Sequence, residues 1–191
     1  MTPPLRRQSL WFAVLPLLAL ASCVRPSALP VLGQLPEFEL TSETGQPFSS
    51  NSLDGHVWVA DWVYTKCDGP CPMMSSQMRQ VQTSTAETPD VKLVSFTVDP
   101  ANDTPAVLAA YAKHFKQDPS RWSFLTGEQA RLNDLALNGF KLNAVDGSMT
   151  HSTRFVLVDR GRRIRGYYIS SEDAFMPRLI HDIRQLEREK S

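Results

Sequence analysis

The chain is poor in net charge, in cysteine and in long apolar runs. Twenty basic side chains are matched by twenty acidic ones over 191 residues, so there is no electrostatic footprint for nucleic acid and no nucleic-acid partner is expected. The longest apolar run, LWFAVLPLLALA from Leu10 to Ala21, would rise only about 18 Å as a helix. That is too short to cross a hydrocarbon core of about 30 Å. Cysteine occurs three times, at positions 23, 67 and 71. What is present, 42% apolar and 21% charged residues, describes one globular domain with a real core. No internal repeat and no second domain are visible.

The N-terminal run belongs to no domain. Arg6 and Arg7 precede it, Pro16 interrupts it, and it has no polar face. A basic segment, a short apolar stretch and small residues describe a secretory signal over residues 1–22. The run ends in LASC, Leu20 to Cys23, which resembles the lipobox of bacterial lipoproteins. That resemblance implies cleavage before Cys23, lipidation of its sulfur, and a domain held on the extracytoplasmic side of a bacterial membrane. The Arg6-Arg7 pair hints at twin-arginine export, but LRRQSL matches that signal poorly. With Cys23 acylated, one cysteine pair remains in a compartment where disulfides persist.

Residues 23–36, rich in proline, read as a lipidated tether, and residues 37–191 as the domain. EFEL, a turn at SETGQP and the residues after it predict an N-terminal β-hairpin. HVWVADWVYT, 56–65, predicts a buried central strand. MMSSQMRQVQTSTAE then predicts a helix, and VKLVSFTVD a strand. TPAVLAAYAKHF predicts a helix capped by Thr104 with Pro105 in its first turn. RWSFLTG predicts a strand, EQARLNDLALNGF a short helix, and TRFVLVDRGRRIRGYY a strand–turn–strand. The last segment predicts a helix capped by Ser171. The fold class is α/β, and the cysteines fall where its first long strand turns into a helix, the usual place for chemistry in such sheets.

The segment TKCDGPCPMM, 65–74, admits three readings: a redox couple, a pair of metal ligands, or two inert buried thiols. A nearby helix N-terminus lowers a thiol pKa, which favours the first two. Asp68, a carboxylate beside Cys67, is expected to raise it and oppose some of that helix effect. Of four histidines, His56, His114 and His181 lie on a strand or on helices and need no special role. His151 stands in a small polar loop, GSMTHSTRF, before a strand. In a thioredoxin-like sheet that loop faces the cysteine junction.

At this point the chain resembles the Sco/SenC family, thioredoxin-fold copper-binding proteins that take part in assembling the CuA centre of cytochrome c oxidase. The matching stretches are CxxxCP at Cys67–Pro72, VDPANDTPAVLAAYAKHF at 98–115, FLTG at 124–127, HSTRFVLVD at 151–159 and the EFELTSETGQPFS start. The resemblance implies a thioredoxin-like central sheet flanked by helices. It implies Cys67 and Cys71 as thiolate ligands and His151 as the imidazole ligand, a donor set that suits Cu(I) and also admits Cu(II). Zinc fits the same ligands and is disfavoured by the exported setting. It further implies copper delivery to the CuA-bearing oxidase subunit, or exchange with another copper chaperone.

Several features stand beside this pattern. DGP differs from the commoner PDV-like loop between the cysteines. Asp99 matches a family aspartate, and reads either as an auxiliary group near the metal or as the cap of the DPAND turn. Met149 is a candidate auxiliary ligand, whereas Met73 and Met74 read as core filler. RGRRIR, 160–165, reads as a solvated hairpin or as a docking patch for anionic lipid or an acidic partner. The competing function is a thiol–disulfide oxidoreductase that keeps a client's copper-ligand cysteines reduced. Such proteins usually carry CxxC and a proline before the late strand, and here the spacing is CxxxC and SMTHST has no proline. A peroxiredoxin-like peroxidase would not need the histidine.

Overall fold

The computed structural model describes residues 28–142 and 152–189. The signal segment, Cys23, Met149 and His151 lie outside the described residues.

The domain is built on the strand after the N-terminal hairpin. Three strands precede it, β1 (Gly33–Gln34), β2 (Glu39–Ser42) and β3 (Pro47–Ser49), and it is β4 (Trp58–Val63). The remaining elements are α1 (Cys71–Ser84), β5 (Lys92–Thr97), α2 (Pro105–His114), β6 (Trp122–Thr126), α3 (Gln129–Asp134), β7 (Arg154–Val158), β8 (Arg163–Ile169) and α4 (Phe175–Arg188). The sheet order is β1-β8-β7-β4-β5-β6-β2-β3. β4, β5 and β6 are parallel, and β7 runs antiparallel to β4.

All six residues of β4 are buried, as a strand covered on both faces requires. Its alternation divides the core in two. Val59 and Val63 pack on one face with Met74, Met78, Leu108 and Ile183, from α1, α2 and α4. Trp58, Ala60 and Trp62 pack on the other with Phe96, Leu132 and Phe140. This is the expected thioredoxin-like sheet flanked by helices, with the expected hairpin of β2 and β3 at one edge.

Thr104 caps α2 as its sequence predicts, its hydroxyl accepting from the Val107 N–H at 3.4 Å. Ser171 does not cap the last helix. The chain first turns at Ala174, in the left-handed region at φ 59°, and α4 begins at Phe175. Placing the start there buries Phe175 against Phe155, their rings stacked at 5.5 Å, so aromatic packing overrides the local capping preference.

The proline-rich stretch read as tether is held to the domain from Leu29 onward. Its Gly33 and Gln34 form β1 on the edge of β8. The buried Arg165 guanidinium donates to the carbonyls of Leu29 at 2.7 Å and Pro30 at 3.1 Å. The same guanidinium meets Asp159 at 2.8 Å and Glu189 at 3.2 Å. The other arginines of RGRRIR are also paired: Arg160 with Glu187, Arg162 with Asp54 and Glu37, and Arg163 with Asp159. The run is therefore an internal ion-pair network, neither a solvated hairpin nor an open cationic patch.

Asp159 is desolvated, which raises its pKa. Hydrogen bonds from Arg165, Arg163 and Gly161 outweigh that and hold it below the usual carboxylate range. A depressed carboxylate contributes stability above its unfolded pKa, near 4, and loses it as the pH falls through the folded value. Arg165→Met should lower stability at pH 7 by about 3 kcal/mol, because it leaves a buried charge short of its partner. It should also weaken the acid-side dependence below about pH 4. Urea unfolding at several pH values measures both.

Candidate functional site

β4 ends at Val63, and the chain leaves the sheet through Tyr64, Thr65 and Lys66 to reach Cys67. Cys71 is the first residue of α1, with Pro70 before it and Pro72 in the first turn. Proline fits there because the first helical N–H groups have no intrahelical acceptor. The turn brings the two sulfurs into hydrogen-bonding contact. The pair is not joined by a disulfide, and both thiols are buried, Cys67 7% exposed and Cys71 fully enclosed.

The two sulfurs differ electrostatically. Burial works to raise the Cys67 pKa, but it is outweighed by donors converging on its sulfur: the Cys71 thiol, the Cys71 and Gly69 N–H groups and the Tyr64 phenol. The Gly69 bond is 3.4 Å long. Cys67 is thus held below the ordinary thiol range. Cys71 is pushed well above it, first by burial and then by the Cys67 sulfur beside it. The direction at Cys67 is the one expected from the helix start, and the counterweight expected from Asp68 is not what decides it, because other donors reach the sulfur itself.

The junction is fixed by a carboxylate in the loop after β5. Asp103 is fully buried and accepts from the Thr65 N–H at 3.2 Å, the Thr65 hydroxyl at 2.6 Å and the Thr97 hydroxyl at 2.5 Å. It ties the cysteine loop to the end of β5 and the start of α2. Asp99 serves the same turn. Its backbone N–H donates to Thr97 Oγ1 at 2.9 Å, and its carboxylate accepts from the Asn102 side chain at 2.8 and 3.0 Å. These contacts support the turn-capping role for Asp99.

Beneath the pair lies a second polar group that the sequence reading passed over. Asp61 falls on the α1-facing side of β4, between Val59 and Val63. The hydroxyl of its neighbour Ser95 donates to Oδ1 at 2.5 Å, and Ser95 in turn accepts from the Trp122 indole N–H at 3.0 Å. Oδ2 has no partner. Burial, against the pull of the Ser95 bond, pushes the carboxyl up to about 7. One turn below Cys71, Ser75 shares a 2.9 Å hydrogen bond with the Tyr111 hydroxyl.

The described residues thus join Cys67 to Cys71 and place Asp99 in the adjacent turn. Among them, no three His, Cys, Asp or Glu side chains gather as a metal site. Met74 is core, as expected, whereas Met73 is 46% exposed. His56 donates from Nδ1 to the Asp90 carbonyl at 3.0 Å, and His114 and His181 are exposed. Tyr64, Asp61 and Asp103 are the site residues that sequence reasoning missed. Asp103 stood in plain view in VDPANDTP, and Asp61 was marked by being the one charge in a six-residue buried strand.

The sheet order and the cysteine pair at the end of β4 define a thioredoxin-like dithiol protein. The SCO1/SenC family model matches residues 33–187. A SCO1 protein homolog from Bacillus subtilis is 32% identical over 161 residues, 81% of this chain and 83% of its own. A SCO1/SenC family lipoprotein from Bacillus anthracis superposes with a TM-score of 0.76 at 32% identity, covering 83% of this chain and 98% of that one. BsSco, described as having a disulfide switch and as a member of the Sco family of cytochrome c oxidase assembly proteins, gives 0.75 at 31%, covering 85% and 98%. The chain belongs to the SCO1/SenC family.

Two outcomes follow from the asymmetry and from the Asp103 bracket. Limiting alkylation of reduced protein at pH 7 should modify Cys67 well before Cys71, as peptide mass spectrometry would read directly. Asp103→Ala should lower stability by about 2–4 kcal/mol, since it strands buried donors, and should make Cys71 reactive in the same assay.

Proposed function

We propose that this protein is a membrane-tethered copper chaperone that binds Cu(I) through Cys67, Cys71 and His151 and passes it on by ligand exchange. The observation that carries this reading is the asymmetric dithiol: two adjacent soft sulfurs, one with its pKa lowered and one with it raised, on a loop held from below. Soft thiolates select Cu(I), and an imidazole can complete a three-coordinate shell with one face open to a recipient. Family membership supports the same reading. So does the association of BsSco with cytochrome c oxidase assembly, which makes a CuA-bearing oxidase subunit, or a second copper chaperone, the recipient of choice. The Bacillus anthracis relative is described as a lipoprotein, in keeping with lipidation at Cys23 and an extracytoplasmic location.

In this scheme Cys67 supplies the first sulfur, because hydrogen bonds from three neighbouring residues favour its charged form. Cys71 follows, giving up its proton as the cation arrives. The amide donors from Gly69 and Cys71 then offset the surplus negative charge of two thiolates around one monovalent cation. Met149 stands near His151 in sequence as an auxiliary thioether. The second reading, a thiol–disulfide oxidoreductase, uses the same two cysteines and is favoured by the low pKa of Cys67, but has no use for His151.

Full-length protein should bind one Cu(I) with sulfur and nitrogen ligands by X-ray absorption. His151→Ala should lose the nitrogen ligand and bind at least tenfold more weakly. An unchanged ligand shell and affinity, with thiol exchange intact, would move the assignment to the oxidoreductase.

A further inference from the structure

The arginines of RGRRIR are all paired, but two on α4 are not. Arg184 and Arg188 are exposed, and among the described residues neither forms an ion pair. They line a groove of about 720 Å³ between α1 and α4, together with Met176, Pro177, Ile180 and His181. Among the described residues no aspartate or glutamate lines it. Arg184 reaches across to the carbonyl of Ser84, the last residue of α1, at 3.5 Å. Arg188, in the last turn, also complements the helix dipole. That accounts for one cation, not for a groove without carboxylates.

The chain enters the domain beside this groove. Arg165 joins the carbonyls of Leu29 and Pro30 to Glu189, the neighbour of Arg188. The next two residues, Val31 and Leu32, are 57% and 47% exposed, the most exposed large apolar side chains among the described residues. The Leu32 N–H donates to the Ile164 carbonyl at 2.8 Å, so the sheet edge holds this apolar pair in place.

We propose that this corner of the domain docks on an anionic bilayer. Val31 and Leu32 enter the boundary between headgroups and acyl chains, and Arg184 and Arg188 bind the lipid phosphates. Apolar side chains beside unpaired cations suit a membrane interface, the first burying area and the second drawing negative charge. An acidic protein would also pair with the arginines, but the apolar pair stands where the chain arrives from Cys23, which favours the bilayer. The proposal rests on the membrane-tethered reading. Cys71 and Ser84 are the two ends of α1, so docking at the Ser84 end leaves the cysteines about 20 Å away along that helix.

Protein expressed from the full-length sequence is combined with vesicles of phosphatidylcholine alone or with equal phosphatidylglycerol. Phenylglyoxal modification of its arginines is then followed by peptide mass spectrometry. Arg184 and Arg188 should react about fivefold more slowly on the anionic vesicles, and about 1 M salt should remove the difference. The exposed Arg131 and Arg178, paired with Glu128 and Glu172, should react alike on both. Val31→Asp should lose most of the protection with thermal unfolding unchanged. Equal rates on the two vesicles, equal protection of all four arginines, or undiminished protection in Val31→Asp overturns the proposal. So does protection by polyglutamate on neutral vesicles that matches the anionic ones, which would point to an acidic protein. The mass of the peptide holding residue 23 reports acylation separately. Protection without acylation keeps the surface and removes the anchor; acylation without protection keeps the anchor and overturns the surface.

Discussion

The site depends on one buried carboxylate. Asp103 receives three donors, two from Thr65 in the cysteine loop and one from Thr97 at the end of β5, and Lys66 adds a bond to Asn102 between the same two loops. Without that bracket the segment from Tyr64 to Pro70 would be a surface excursion with no fixed height above the sheet. With it, Cys67 is held where the first amides of α1 can reach its sulfur. A charged group is economical for this purpose, because its two oxygens satisfy several donors at once and each bond to it is stronger than a neutral one. Burial would ordinarily disfavour such a group, and the convergence of donors is what makes it tolerable.

Two chemically identical thiols become different through placement alone. Cys71 sits inside the first turn of α1 and is sealed by the core, so its charged form has little to solvate it. Cys67 sits outside the helix and collects hydrogen bonds from its surroundings. Asp61 and the Ser75–Tyr111 pair add polar groups below the enclosed sulfur. The result is a dithiol with a reactive outer member and a reserved inner one, which suits stepwise exchange of a ligand or of a bond.

Much of this was legible in the residues. The all-apolar texture of β4 around one aspartate, the cysteines directly after it and the Thr104-Pro105 helix start gave the sheet centre, the junction and α2 correctly. What escaped depended on distance in sequence. Asp103 lies 38 residues from Thr65, and no local pattern ties them. The arginines of RGRRIR looked solvent-facing because their partners, Asp54, Glu37 and Glu187, come from remote segments. The lowering at Cys67 was expected from the helix start, but the opposing weight given to Asp68 followed from its being a neighbour along the chain, while the groups that touch the sulfur are arranged by the turn. Proline-rich composition suggested a free tether from residue 23 to 36, yet backbone pairing with β8 needs no side-chain signature and left none.

That last difference changes how far the domain can travel. If the acyl group sits on Cys23, only residues 24–28 separate it from the Leu29 carbonyl gripped by Arg165. Five residues reach at most about 18 Å when fully extended, where a free stretch to residue 36 would reach about 45 Å. The domain would then ride close over the bilayer, leading with the β1 and β8 edge, and could not sweep a wide volume in search of a recipient. Encounters become two-dimensional, restricted to partners confined to the same membrane and presenting their acceptor site within a few nanometres of its surface.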